Sequence, residues 1–210
     1  MAEADLSGKV VSPDRLAHVV LRTGRFKLVV EFYKIFLGAH VVLESGSIAF
    51  LTYDGEHHRI AIIAMPGLEN KIRLSAGLDH MAFTFKTLND LATAYVQRKA
   101  HGILPVWCVN HGPTMSMYYQ DPDGNVLETQ VDNFDAAESA KFMTTPEFAE
   151  NPIGVDFDPE DLVRRLKSGE PESDIIKRPN IGPRGVEGIP LLHLPLPVVK
   201  ESYGLVESTA

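Results

Sequence analysis

The 210-residue chain carries 28 Asp and Glu against 20 Lys and Arg, a net charge of −8, which excludes a partner held mainly through its phosphate backbone. At 44% hydrophobic its composition is that of an ordinary globular protein, and the length suits one or two domains with a sizeable core. The lone cysteine, Cys108, excludes an internal disulfide and a cysteine-based zinc cluster, and with an acidic start (MAEADLSGK) and no run near the ~18 apolar residues of a membrane helix, a cytoplasmic protein free of nucleic acid and membrane is expected.

Residues 15–21 (RLAHVVL), rich in apolar and β-branched side chains and closed by Thr23-Gly24, predict a first strand. From Arg25 to Leu37, the residues Leu28, Val29, Phe32, Tyr33, Ile35 and Phe36 fall at helical spacing, and Gly38 supplies the stop. Three short strands are expected at about 39–44, 47–53 and 58–64, separated by Ser-Gly and Asp-Gly turns. After a linker opened by Pro66-Gly67 the same order restarts, with a strand over 78–85, a helix N-capped by Thr87 and ended at His101-Gly102, and strands at about 103–109, 114–120 and 125–131. An offset of 62 residues brings His18 onto His80, Leu16 onto Leu78 and Leu21 onto Phe83, so the simplest account is a duplicated βαβββ unit. The fold class is α+β: two modules, about 13–66 and 77–132, make one domain (13–132).

Residues 133–210 form a C-terminal extension, helical over about 135–150 and 158–168 and then Pro-rich, with nine of the 14 prolines from Pro146 onward. Proline denies it long helices and central strands, so it is expected to wrap across the body or a neighbouring subunit, a flexible tail being the alternative.

Strand alternation assigns faces. His18 goes with Leu16 and Val20, while His80 goes with the small Ala82 and Thr84, away from Met81, Phe83 and Phe85. On 114–120, Met115, Met117 and Tyr119 share one face, and Thr114, Ser116, Tyr118 and Gln120 the other, a polar inner face that predicts a wetted or liganded cavity. Glu128 is an acid inside an apolar strand. Singly, a strand histidine is usually just hydrogen-bonded, and Glu128 reads equally as an exposed residue. Jointly, His18, His80 and Glu128 compose the donor set of a facial triad, which suits non-haem Fe(II) and leaves positions for substrate and O₂. Trp107 and Cys108 read as core, Asp121-Pro-Asp-Gly124 as a turn, and His40, His101 and His193 as surface or helix-end residues.

These residues resemble the vicinal oxygen chelate superfamily, and within it the type I extradiol ring-cleavage dioxygenases, over about residues 13–132. The resemblance implies a curved mixed sheet that surrounds a metal cup, the metal held by His18, His80 and Glu128, with Fe(II) expected and Mn(II) accepted by the same ligands. His58, at the head of the segment His58-Arg-Ile-Ala-Ile-Ile-Ala-Met-Pro66, would be the acid/base residue. It is preferred over His57 because the alternation places it with Ile60 and Ile62. Tyr118, ten residues before Glu128, matches the family's tyrosine. His111 is the candidate for a further active-site histidine, although its spacing to Tyr118 is shorter than usual. No residue is assigned to an organic cofactor. The implied activity is extradiol cleavage of a catechol-type aromatic diol by O₂, possible substrates including 2,3-dihydroxybiphenyl, in a homo-oligomer with a dimer favoured. The chain departs from members with two module pairs in having one pair plus an extension, and its stretch from His58 to His80 is longer than in many of them. Two alternatives remain. A metal-dependent glyoxalase or epimerase uses four ligands, one an acid on the first module's last strand, where this chain has Ile60, Ile62 and Ala64. A metal-free binding module of the same fold needs no such ligands.

Overall fold

Two stretches of the chain fold alike in the computed structural model, which describes residues 8, 10–69, 71–198 and 200–204. Residues 1–7 and 9 of the acidic N-terminal stretch, residue 70 of the linker, and residues 199 and 205–210 of the extension lie outside the described residues. The first stretch comprises β1 (Val19–Thr23), α1 (Phe26–Leu37), β2 (His40–Glu44), β3 (Ile48–Thr52) and β4 (Ile60–Ala64), paired in the order β1-β4-β3-β2. The second comprises β5 (His80–Thr84), α2 (Leu88–Ala100), β6 (Trp107–Asn110), β7 (Thr114–Gln120) and β8 (Val126–Asp132), paired as β5-β8-β7-β6. In each, first and last strands run parallel and the other neighbours antiparallel, so topology as well as sequence repeats. The mixed surface is thus built from two hydrogen-bonded sheets.

The helices form where the sequence places them. Gly38 closes α1 at φ 60, a left-handed conformation open to glycine at no steric cost. The Thr87 hydroxyl accepts from the Asp90 amide at 3.0 Å and caps α2. Phe32, Tyr33 and Phe36 of α1 are buried against Leu51, Ile60 and Ile62, and the same cluster continues into Leu91, Met117, Tyr119 and Leu127, so one core underlies both modules. Burial of each such side chain contributes roughly 1.5–3 kcal/mol.

The first strand begins later than its composition suggests. The Arg59 guanidinium, held by Asp54 at 3.0 Å, takes the carbonyls of Leu16 (2.8 Å) and Ala17 (3.0 Å). Those carbonyls are therefore unavailable to a strand ladder, and His18 lies one residue ahead of β1. The strand expected over 58–64 likewise starts only at Ile60.

The extension wraps across its own chain. It forms α3 (Ala136–Phe142), α4 (Pro146–Glu150), β9 (Val155–Asp156), α5 (Pro159–Lys167) and α6 (Glu172–Ile175), followed by two 3-10 turns at Val186–Gly188 and Pro190–His193. The two-residue β9 joins the second sheet as an edge beside β6. Farther on, the Tyr203 amide reaches Glu31 of α1 at 3.0 Å, and Lys200 reaches the Gly102 carbonyl at 2.7 Å. Ile153 and Leu191 cover Trp107, Val109, Tyr118 and Val126 on the second module's inner face, forming a second apolar cluster. On this face, expected to be wetted or liganded, Ser116 and Tyr118 are buried. Their polar groups are satisfied inside, Ser116 by the Thr114 hydroxyl at 3.1 Å and Tyr118 by His111. Among the described residues no helix is long and apolar enough to cross a membrane.

Candidate metal centre

The parallel pairing of β5 with β8 sets Ala82 beside Glu128, and the antiparallel pairing of β7 with β8 sets Tyr118 opposite Glu128. His80 lies two residues before Ala82 and so shares its face, where the small alanine leaves the imidazole room to reach the acid. His80 Nε2 stands 3.0 Å from Glu128 Oε2, and His80 Nδ1 stands 2.7 Å from Asp79 Oδ2. These partners, Glu128 foremost, raise the His80 pKa to about 9. Burial alone would push the Glu128 carboxyl up, but hydrogen bonds from His80 and Ser116 hold it below its usual value.

Tyr118 completes this group. Its ring meets that of His80 edge-on at 5.4 Å and stacks on Trp107 at 4.9 Å, while its hydroxyl lies 3.0 Å from His111 Nε2. Burial and the nearby Glu128 carboxylate hold the phenol well above its ordinary pKa, so it remains protonated. His111 is held below the ordinary histidine value, mainly by burial, and is neutral near pH 7. Its Nδ1 lies 2.5 Å from the Ile153 carbonyl.

The remaining two candidates sit apart from these four. The His58 ring stacks on Phe50 at 4.7 Å and lies 4.5 Å from that of His18. His58 Nδ1 is 2.6 Å from His57 Nδ1, and His57 is the more exposed of the pair. Burial, then the neighbouring His18 and His57, keep the His58 pKa below the usual value. The alternation that grouped His58 with Ile60 and Ile62 is corrected: those isoleucines face the helices and are buried in the core, whereas His58 precedes β4, outside any strand, and turns onto Phe50.

His18 and His80 line one cleft of about 490 Å³ between β1 and β5, together with Leu16, Tyr53, Leu78 and Phe83. The donor chemistry there fits a divalent ion. Cis donors on an octahedral ion with bonds of about 2.1 Å stand about 3 Å apart, which is the separation of His80 Nε2 and Glu128 Oε2. His18 is turned toward His58, and among the described residues no three His, Cys, Asp or Glu side chains close around one point.

Several contributors were not singled out by sequence reasoning. Asp79 orients His80, and its place immediately before that histidine was a readable signal. Trp107, read as core, is buried but also forms the platform for Tyr118 and donates its indole N–H to Asp156 at 2.8 Å. The Ile153 carbonyl is a main-chain group on a distant segment, for which side-chain patterns give no signal.

The family model described as Glyoxalase/Bleomycin resistance protein/Dioxygenase superfamily matches residues 15–129. The chain is 45% identical over 159 residues to biphenyl-2,3-diol 1,2-dioxygenase 2 of Rhodococcus globerulus, covering 75% of this chain and 84% of that protein. It is also 45% identical over 167 residues to biphenyl-2,3-diol 1,2-dioxygenase 3 of the same organism, covering 78% and 88%. In fold it is similar to a crystal structure of a glyoxylase/bleomycin resistance protein/dioxygenase domain from Frankia sp. EAN1pec, with a TM-score of 0.51, 16% identity, and coverage of 61% of this chain and 99% of that one. The repeated βαβββ topology and these likenesses agree: the chain belongs to the glyoxalase/bleomycin resistance protein/dioxygenase superfamily.

Proposed function

We propose that the protein is a metal-dependent extradiol dioxygenase that opens the ring of a catechol-type aromatic diol with O₂, in the class of 2,3-dihydroxybiphenyl. The observation that carries this reading is the pairing of His80 Nε2 with Glu128 Oε2 at 3.0 Å beside the Tyr118 ring, His80 itself lining the cleft shared with His18. The likeness to relatives named biphenyl-2,3-diol 1,2-dioxygenases supports it. His18, His80 and Glu128 would hold Fe(II), or Mn(II) with the same donors. When bound, such an ion would supply Lewis acidity toward the diol and bring substrate and O₂ together.

The chain's own groups do the rest. The cleft of about 490 Å³ lies in the size range of small-molecule sites, and Leu16, Leu78 and Phe83 give an aromatic ring an apolar wall. His58, neutral because its pKa is held below the usual value, is the base for a diol proton and later returns it to an oxygen of the opened product. Phe50 backs its ring and His57 engages its Nδ1, which leaves Nε2 as the working nitrogen. Tyr118, kept protonated by burial, stays a neutral hydrogen-bonding group beside the substrate oxygens. His111 holds the Tyr118 hydroxyl in place. The reading includes a cytoplasmic homo-oligomer, a dimer favoured, for which the half-exposed Val20, Val42 and Leu43 provide apolar surface.

The test is oxygen uptake with simultaneous visible absorbance, on protein prepared anaerobically and loaded with Fe(II), against a panel of catechols that includes 2,3-dihydroxybiphenyl. One O₂ consumed per yellow ring-opened product is expected. Absence of uptake by protein that binds one metal per chain would overturn the reading in favour of a lyase or isomerase, and absence of metal binding would leave a binding module.

A further inference from the structure

The hydrogen-bond chain through Tyr118 and His111 does not stop inside the module. A carbonyl oxygen can only accept, so the 2.5 Å contact between His111 Nδ1 and the Ile153 carbonyl puts the ring proton on Nδ1. Nε2 of the neutral ring is then an acceptor, and the Tyr118 hydroxyl at 3.0 Å donates to it. The direction of the Tyr118 O–H is thus set by a main-chain atom of the C-terminal extension.

That atom is held by a buried turn. The Asn151 Oδ1 accepts from the amides of Ile153 (3.2 Å) and Gly154 (2.7 Å), and its Nδ2 donates to the Gly154 carbonyl at 3.2 Å. Arg178 clamps the turn to the histidine's own backbone, donating from Nη2 to the Asn151 carbonyl at 2.6 Å and from Nη1 to the His111 carbonyl at 2.9 Å. Gly154 adopts φ +113, and a Cβ there would stand 2.3 Å from the Asn110 carbonyl oxygen, so the turn lies this close to the end of β6 only because the residue is glycine. Asn151 is 3% exposed. These bonds fix one geometry, because displacing the turn would leave the Asn151 amide and the Ile153 and Gly154 amides it accepts from unpaired.

We infer that the segment Asn151–Gly154, clamped by Arg178, is a positioning element of the active site: it fixes the tautomer and orientation of His111 and, through them, the direction of the Tyr118 hydroxyl. The family match ends at residue 129, so this element lies in the C-terminal extension, beyond the paired modules. The catalytic consequence rests on the proposed ring cleavage, whereas the tautomer does not.

The experiment therefore has two arms, both on the full chain. In the first, ¹⁵N NMR of the histidine ring nitrogens reads the His111 tautomer in wild type, Asn151→Ala, Asn151→Asp and Arg178→Gln. Wild type is expected to hold one Nδ1-protonated form, Asn151→Ala and Arg178→Gln to give a mixture, and Asn151→Asp, which keeps the Oδ1 acceptor, to stay close to wild type. In the second, Fe(II)-loaded enzyme is assayed with 2,3-dihydroxybiphenyl. For Asn151→Ala, kcat is expected to fall roughly tenfold with unchanged iron content, KM to stay within about threefold, and Asn151→Asp to recover most of the loss. If Asn151→Ala does not fold, Arg178→Gln carries both arms. An unchanged tautomer in the folded variants overturns the inference, and so does a mixed tautomer with undiminished kcat. A wild-type enzyme that cleaves no diol overturns the proposed function, while the NMR arm still decides whether the turn holds His111.

Discussion

The Tyr33 hydroxyl, on the helix of the first module, donates to the Asp121 carboxylate in the β7–β8 turn of the second at 3.1 Å. The same carboxylate accepts from the amides of Asp123 (3.0 Å) and Asn125 (2.8 Å) and from the Asn125 side chain (2.8 Å). Next to it, Arg25 pairs with Asp123 at 2.7 Å. What reads as a simple Asp-Pro-Asp-Gly turn is therefore a joint between modules. Asp121→Ala strands several of these donors, one of them the buried Tyr33 hydroxyl, and is expected to cost about 2–3 kcal/mol. Asp121→Asn, which keeps one acceptor oxygen, is expected to cost about 1 kcal/mol. Urea midpoints at constant m-value check both; equal losses would mean that the single acceptor oxygen kept by Asp121→Asn does not support the joint, and no loss in Asp121→Asn would mean that the carboxylate mainly fills space.

Arg98 is the second joint. It is 2% exposed within α2, and its guanidinium donates to the Phe36 carbonyl at the end of α1 at 2.8 and 2.5 Å and to Thr129 at 3.2 Å. It also lies 4.0 Å above the Phe36 ring, a cation–π arrangement. Arg98→Met keeps much of the apolar stem but removes every donor, leaving the Phe36 carbonyl without this partner. The expected loss is about 2–3 kcal/mol, read from the shift of the urea midpoint. A shift within ~0.5 kcal/mol, the range of an ordinary surface change, would show that the stem alone matters.

The contrast between these joints and the strands explains what was legible in the sequence. Periodicity reports which face of an element is buried, so the repeated βαβββ order, the Gly38 stop and the Thr87 cap could be read directly. The face of β5 that carries His80, and the ten-residue interval between Tyr118 and Glu128, survive because strand pairing converts sequence spacing into proximity. Arg59, Arg98 and Asp121 act across 42 to 88 residues, and no local pattern announces such partners. His58 illustrates the same limit at short range: alternation holds only within a strand, and the residue lies before one. The wall formed by Ile153 and Leu191 was illegible for a related reason, since a Pro-rich segment has no period from which to read its contacts.

Cys108 gives a test of the shared core. It is 7% exposed on the face of β6 opposite Trp107, and burial pushes its thiol up to about 12. The native state thus keeps the proton at pH values where the unfolded thiol, near about 8.5, has lost it. Unfolding then releases a proton, so this group's contribution to stability is full below about 8.5 and declines as pH rises toward about 12. Iodoacetamide at pH 8 is expected to leave the native chain unmodified and to alkylate one thiol per chain in urea. Rapid native alkylation would contradict the closed packing of β6 against the helix layer.

The proposed roles of Glu128 and His58 separate by what each loss removes. Glu128 is buried against His80, so Glu128→Ala deletes an anionic donor beside the imidazole and leaves it without its strongest partner. Bound iron and turnover are then expected to fall together. His58 packs on Phe50 beside His18 and is not among the proposed ligands. His58→Phe preserves the aromatic stack but removes the proton acceptor, so iron is expected to stay near one per chain while kcat falls by roughly 10²–10⁴, the usual value of a positioned acid or base. Metal analysis and kcat measured on the same samples distinguish the two classes. Joint loss of iron in His58→Phe would instead make His58 a ligand or a support for His18, whose ring it meets at 4.5 Å.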